Sequence, residues 1–153
     1  MKKLLLILLF FPWAMLSQEV LVEKTPPDYI KTIIFKADGN DKNQFPIVRR
    51  NESFSLQFDD LGGNEETYYY KITHCNADWS ASSLMKSEYL KGIDNQPIQP
   101  ESNSYGTLQS YSHYRLTFPN ELTQLTLSGN YMLSITDSYG TVCGLYSSGK
   151  RVG

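Results

Sequence analysis

The chain has 153 residues, 13% of them aromatic with 11 Tyr, and frequent Gly and Pro, a composition that suits an all-β domain better than a helical bundle. Its formal net charge is −2. Without Lys2 and Lys3 it becomes −4, from 12 basic and 16 acidic residues, and the absence of a basic block excludes nucleic acid as a favoured partner.

Residues 1–17 read as a secretory signal peptide: Lys2 and Lys3 supply the charged start, residues 4–11 the apolar run, and a cut after Ser17 leaves Gln18 first. A cut after Ala14 is the second choice. The apolar run falls short of the ~20 residues a spanning helix needs. No Cys near the cut offers a lipid anchor, and no later stretch is long and apolar enough to cross a bilayer as a helix. The remaining chain, about 135 residues, suffices for one domain with a real core. Export permits a disulfide between Cys75 and Cys143, and two small thiols packed between sheets are the alternative.

Residues 18–28 are polar and carry Pro26-Pro27, which predicts an extended leading segment. The first strand is predicted over 29–37, with Ile30, Thr32 and Ile34 on one face and Ile33 and Phe35 on the other. Asp38-Gly39-Asn40-Asp41 signals a turn. A second strand follows over 45–50, with Pro46 near its start, where a missing N–H is tolerated. Phe54, Leu56 and Phe58 alternate with Ser53, Ser55 and Gln57, as in a strand with one buried and one wet face. Residues 60–64 turn into the stretch 67–79, TYYYKITHCNADW. Its aromatic and β-branched residues predict a strand with Tyr68, Tyr70, Ile72 and His74 towards the core and Tyr69, Lys71, Thr73 and Cys75 away from it. Asn76, Ala77 and Asp78 then turn, and Trp79 is expected to pack in the core as a large apolar anchor.

Ser80, Ser82 or Ser83 is expected to cap a short helix over 84–90, ended by Gly92 and docked through Leu84, Tyr89 and Leu90. Residues 94–105, with Pro97 and Pro100, read as an irregular connection with Ile98 in a short edge strand. Residues 111–118 form another strand, with Tyr114, Leu116 and Phe118 inward and His113, Arg115 and Thr117 outward. The Leu127-x-Gly129-x-Tyr131 pattern before a late strand resembles the tyrosine corner of immunoglobulin-like sandwiches. Asp137 to Gly140 turns, and the last strand is predicted over 141–146. The count of about seven strands predicts an all-β, immunoglobulin or fibronectin type III-like sandwich with one short helix. That domain occupies residues 29–146, with a tail at 147–153.

His74, Cys75 and Asp78 invite a thiol-enzyme or metal reading. Adjacent residues of a strand point to opposite faces, so His74 and Cys75 cannot form one nucleophile–base pair without a bulge. Even if His113 met His74 across strands, two His are not a metal motif. Asp38, Asp41, Asp59 and Asp60 lack calcium-loop spacing and read as turn residues. No catalytic residue, metal or cofactor is therefore expected. Tyr68, Tyr69, Tyr70, Tyr105, Tyr111 and Tyr114 are the candidates for a sugar platform or a protein interface, and Tyr69, on the outer face, is the predicted partner contact.

Four blocks carry a resemblance: ITHCNADWS at 72–80, LMKSEYLKG at 84–92, YSHYRLTFPNE at 111–121 and LSGNYMLSI at 127–135. In this order they resemble the N-terminal domain of the type IX secretion system plug protein, over residues 20–137. The resemblance implies a non-enzymatic periplasmic subunit, associated with the outer membrane, that closes the periplasmic opening of the translocon barrel. It marks His74, Cys75, Asp78, Trp79, Tyr89, Tyr114, Gly129 and Tyr131 as fold markers and assigns none of them to the pore contact. The alternative from the residues alone is a secreted carbohydrate-binding or adhesin-type sandwich. The likeness fades after Asp137, whereas family members continue into a larger C-terminal region, so the chain reads as truncated, frame-shifted or divergent. The last strand is accordingly expected to pair poorly and leave an exposed edge.

Overall fold

The computed structural model describes residues 20–38, 45–49 and 51–151. The expected leader at 1–17 and Asp41 lie outside them. Among the described residues the elements, in chain order, are β1 (Ile30–Ala37), β2 (Ile47–Val48), β3 (Phe54–Asp60), β4 (Tyr68–Cys75), α1 (Lys86–Tyr89), β5 (Leu90–Gly92), β6 (Gln96–Ile98), β7 (Pro100–Asn103), β8 (Ser112–Phe118), β9 (Thr123–Leu125), β10 (Gly129–Thr136) and β11 (Val142–Lys150). They build one sheet in the order β1-β3-β8-β7, a second in the order β2-β11-β10-β4-β6, and a small ribbon of β5 and β9. The chain is all-β with a single helical turn, consistent with the predicted sandwich.

Alternation explains the core. Leu56 pairs with Leu116 and Phe58 with Tyr114 across β3 and β8, while Leu133 pairs with Ile72 and Ile135 with Tyr70 across β10 and β4. These residues are buried in one hydrophobic cluster. Two aromatic groups lie between the sheets. Phe35, Phe54, Phe118 and Tyr146 form one, with Phe54 and Phe118 stacked at 4.9 Å. Phe58, Tyr68 and Tyr114 form the other, each pair of rings 5.0–5.2 Å apart. Each such ring removes enough apolar surface from water to be worth about 1.5–3 kcal/mol.

Burial drives the Tyr131 and Tyr146 phenols up to about 12 from an ordinary 10.0. Tyr68 moves the same way, through burial first and then its 2.8 Å hydrogen bond to Asp60. A raised phenol pKa favours the neutral, folded form. The stabilisation is therefore complete below pH about 10 and is lost as pH rises through the folded values. An alkaline titration should show phenolate absorbance and loss of near-ultraviolet circular dichroism rising together between pH about 10 and 12. Full tyrosine ionisation with the dichroism intact would contradict this.

Several predicted elements are corrected. Thr32 adopts φ 53°, a bulge that shifts the β1 register between Lys31 and Ile34. Ile30 faces in, Ile34 turns out to 43% exposure, and Ile33, Phe35 and Ala37 face the core. The second strand shrinks to two residues paired in parallel with β11. Ser55, expected on a wet face, is 3% exposed. The helix is one turn, capped by Glu88 accepting the Met85 N–H at 2.6 Å rather than by a serine, and Leu90 to Gly92 leave it as a strand. The connection 94–105 contains two short strands that close opposite sheets, β6 on β4 and β7 on β8. β11 runs on to Lys150, past the predicted end at Tyr146, so Ser147 to Lys150 belong to the sheet. It pairs with β10 along its length, and Ile47–Val48 and Lys24 cover parts of its other edge. The expected poorly paired last strand is thus replaced by an integral one.

Candidate functional site

Most of the residues singled out in sequence, though not Tyr114 or Tyr69, lie at one end of the second sheet. His74 from β4, Tyr89 from α1 and Tyr131 from β10 form a ring cluster, with centroid distances of 5.1 Å for His74–Tyr131 and 5.6 Å for His74–Tyr89. Gly129 makes room for it. A Cβ there would overlap the imidazole, 3.1 Å from Cδ2, and its φ of 151° favours glycine. The Tyr131 hydroxyl donates to the Leu127 carbonyl at 2.8 Å, the bond expected of a tyrosine corner.

The block at 84–92 exists because β4 outruns its neighbour. β6 pairs only with Tyr68 to Tyr70, so the edge beyond is open, and unpaired backbone groups there need partners. Asp94 accepts the Ile72 N–H at 2.8 Å and the Tyr89 hydroxyl donates to the Ile72 carbonyl at 3.3 Å. Ser82 N–H donates to the His74 carbonyl at 2.9 Å. Lys86 holds Asp94 from outside at 2.7 Å.

The turn 76–80 satisfies itself. Asp78 accepts both the N–H and the hydroxyl of Ser80, at 3.0 and 2.6 Å, and these bonds lower its pKa. Asn76 donates to the Ser80 hydroxyl at 2.9 Å, and Asn130 donates to the Asn76 carbonyl at 3.2 Å. Trp79 is corrected: it takes a left-handed φ of 64° at the end of the turn, and it is half-buried outside the core cluster. Cys75 points away from the core as its parity predicts, yet it is 2% exposed. Cys143 lies in the core cluster, and both thiols are free. Burial pushes both thiols' pKa up, which works against the reactive thiolate.

Among the described residues, the imidazole of His74 hydrogen-bonds Ser82 through Nδ1 at 2.9 Å, and no carboxylate pairs with it. The Ser82–His74 contact helps close the strand end. His113 sits in the other sheet, paired through Nδ1 with Asp59 at 2.6 Å, so the two His do not meet. No group of three or more His, Cys, Asp or Glu among the described residues is arranged to hold a metal ion. Tyr114 is far from His74 along the fold, its hydroxyl donating to the Glu66 carbonyl at 2.6 Å and accepting the Glu66 N–H. Tyr69 is half-buried on the outer face beside Pro97. Tyr105 is fully exposed, and Tyr68 and Tyr70 are core residues.

Among the hollows of the described residues, sequence reasoning missed two that hold a buried charged residue. One, of about 240 Å³, gathers Asp60, Glu66 and Asp137 with Tyr29, Tyr68 and Tyr139. Asp60 is no exposed turn residue: it is 3% exposed and bonded by the Tyr68 hydroxyl and the Gly62 N–H. Its place was legible, since it continues the inward phase of Phe54, Leu56 and Phe58. The other hollow, about 350 Å³, is lined by Lys150, Glu52 and Asn120. Lys150 is 7% exposed and donates to the Leu125 carbonyl at 2.6 Å, and burial lowers its pKa.

Residues 30–144 match the family described as the type 9 secretion system plug protein 1st domain. A solved structure of a hypothetical protein from Parabacteroides merdae ATCC 43184 is similar, at 31% identity and a TM-score of 0.79 over 87% of this chain and 34% of that one. This chain therefore spans about a third of that protein's length. A Niemann-Pick type C2 protein from Japanese carpenter ant aligns at 16% identity over 88% of this chain and 98% of that one, and its TM-score of 0.40 carries no argument. No curated protein matches the chain. The chain belongs to the type 9 secretion system plug protein family, matching its first domain.

Proposed function

We propose that this chain acts as a non-enzymatic periplasmic subunit of the type IX secretion system. Associated with the outer membrane, it closes the periplasmic opening of the translocon barrel while no cargo passes. The observation that carries this reading is the family match across residues 30–144, which takes in nearly the whole two-sheet body. The mechanism is steric: a domain with a filled aromatic core occupies the mouth, and reversible, mostly polar contacts allow its displacement. His74, Cys75, Asp78, Trp79, Tyr89, Tyr114, Gly129 and Tyr131 then serve the fold, and Tyr69 serves the contact. Residues 1–17 direct export.

The test is a pull-down of tagged residues 18–153 from the outer membrane of a host carrying the system. Recovery of the giant translocon barrel, reduced by Tyr69→Ala, is the expected result. A folded domain that recovers nothing would remove the contact from this domain. Undiminished recovery with Tyr69→Ala would remove Tyr69 from the contact.

A further inference from the structure

Cys75 and Met132 are 2% and 1% exposed, yet neither belongs to the core cluster. Their neighbours Tyr131, Leu133 and Ile72 point into the sandwich, so by alternation both point out of it. The register places them on a diagonal. Cys75 pairs with Asn130, Met132 with Thr73 and Ser147, and Leu145 with Ser134. Cys75, Met132 and Leu145 thus cross β4, β10 and β11 on the outer face.

The N-terminal segment is fastened at both ends of this diagonal. At the Cys75 end, Val20 bridges Ser80, Ala81 bridges Cys75, and Leu21 N–H donates to the Trp79 carbonyl at 3.0 Å. At the β11 end, Lys24 bridges Leu145 and its ammonium donates to the Val142 carbonyl at 2.9 Å. Between them, the Glu23 carboxylate accepts from the N–H and hydroxyl of Ser147. Leu21 is half-buried, whereas Val20 and Val22 are 50% and 70% exposed. This attachment consists of isolated bridges and exposed polar bonds, unlike the continuous β10–β11 ladder. Pro26-Pro27 follow, and having no N–H they cannot extend any ladder towards β1.

We infer that residues 20–25 are a detachable strap over this second apolar patch, and that the groove they occupy accepts an extended peptide segment from a partner chain in their place. The occupant on the structure itself makes strand-type bridges at Val20 and Lys24, with a half-buried leucine between them and a carboxylate on Ser147. Releasing it uncovers both the patch and the edge of β11 between Val142 and Ser147, which is the template that strand addition uses. The partner segment that fits carries the same features: an extended run, a branched apolar residue and an acidic side chain two positions on. This inference rests on the strap's geometry and holds whether or not the translocon is the partner.

The two buried thiols make the test internal to the protein. In the full chain under native conditions, hydrogen exchange should be fast at the Leu21 amide and slow at Leu133. Deleting residues 20–25 should raise the rate of thiol alkylation at Cys75 by about tenfold or more and leave Cys143 protected, since local opening leaves the core closed. The synthetic peptide VLVEKTPP, residues 20–27, should then bind the deleted form saturably and restore protection of Cys75. Should the deletion prevent folding, Leu21→Asp in the full chain supplies the same readout. Alkylation of both cysteines together, or equal exchange at Leu21 and Leu133, would show that the segment opens only with the whole domain and overturn the strap. Exposure of Cys75 without peptide binding would overturn the exchange.

Discussion

Gly129→Ala is expected to destabilise the domain by about 3 kcal/mol, combining the cost of a left-handed backbone with overpacking. At φ 151° an L side chain is strained whatever the space around it. The space is also taken, because the new methyl would overlap the His74 ring that packs on Tyr89 and Tyr131. A urea titration of the variant measures the loss as a lower midpoint. The two costs separate in a double-mutant cycle with His74→Ala, which removes the overlap and leaves the backbone strain. A coupling of more than about 0.5 kcal/mol is expected. Simple additivity would place the whole cost in the backbone.

Phe54→Ala is expected to cost more, about 3–5 kcal/mol, the range for deleting a fully buried ring. Phe54 is 0% exposed on β3, between its neighbours β1 and β8, and its ring lies 4.9 Å from Phe118 and 5.8 Å from Phe35. Phe35 in turn meets Tyr146 at 5.9 Å, so this group joins the two sheets. Removing its centre leaves a cavity between layers that the surrounding strands cannot collapse to fill. Phe54→Leu refills most of the volume and should cost about 1 kcal/mol. Equal losses for Ala and Leu would mean that ring packing, rather than volume, holds the sheets together.

The four sequence blocks were legible because each serves a contact that local chemistry announces. The alternation of β3, β4 and β8 identifies their inward residues directly, and the tyrosine corner at Tyr131 was readable from Leu127 and Gly129. What failed had a local backbone cause that side-chain pattern does not carry. Thr32 adopts a positive φ and reverses a run that alternation would have continued, and Trp79, after the turn, also adopts a positive φ and lies outside the core cluster. The segment 84–90 holds only one helical turn for a different reason: it is shaped by the open edge of β4, where Tyr89 and Asp94 bond Ile72.

By itself the sequence determined the fold class and most of the inward-facing residues, because a period of two with aromatic and β-branched residues leaves little choice of face. It also carried the family, through blocks whose order and composition survive without any knowledge of contacts. Tertiary structure alone decided which edges are covered and by what. The sheet order, the two short strands closing opposite sheets, and the strap from Ser80 to Leu145 join residues far apart in the chain. Hydrogen bonds between backbone groups carry no side-chain signature, so nothing in the letters 20–25 announces that Lys24 bridges the edge of β11. Cys75 and Met132, buried on the outer face, lie between the two places where that segment is fastened.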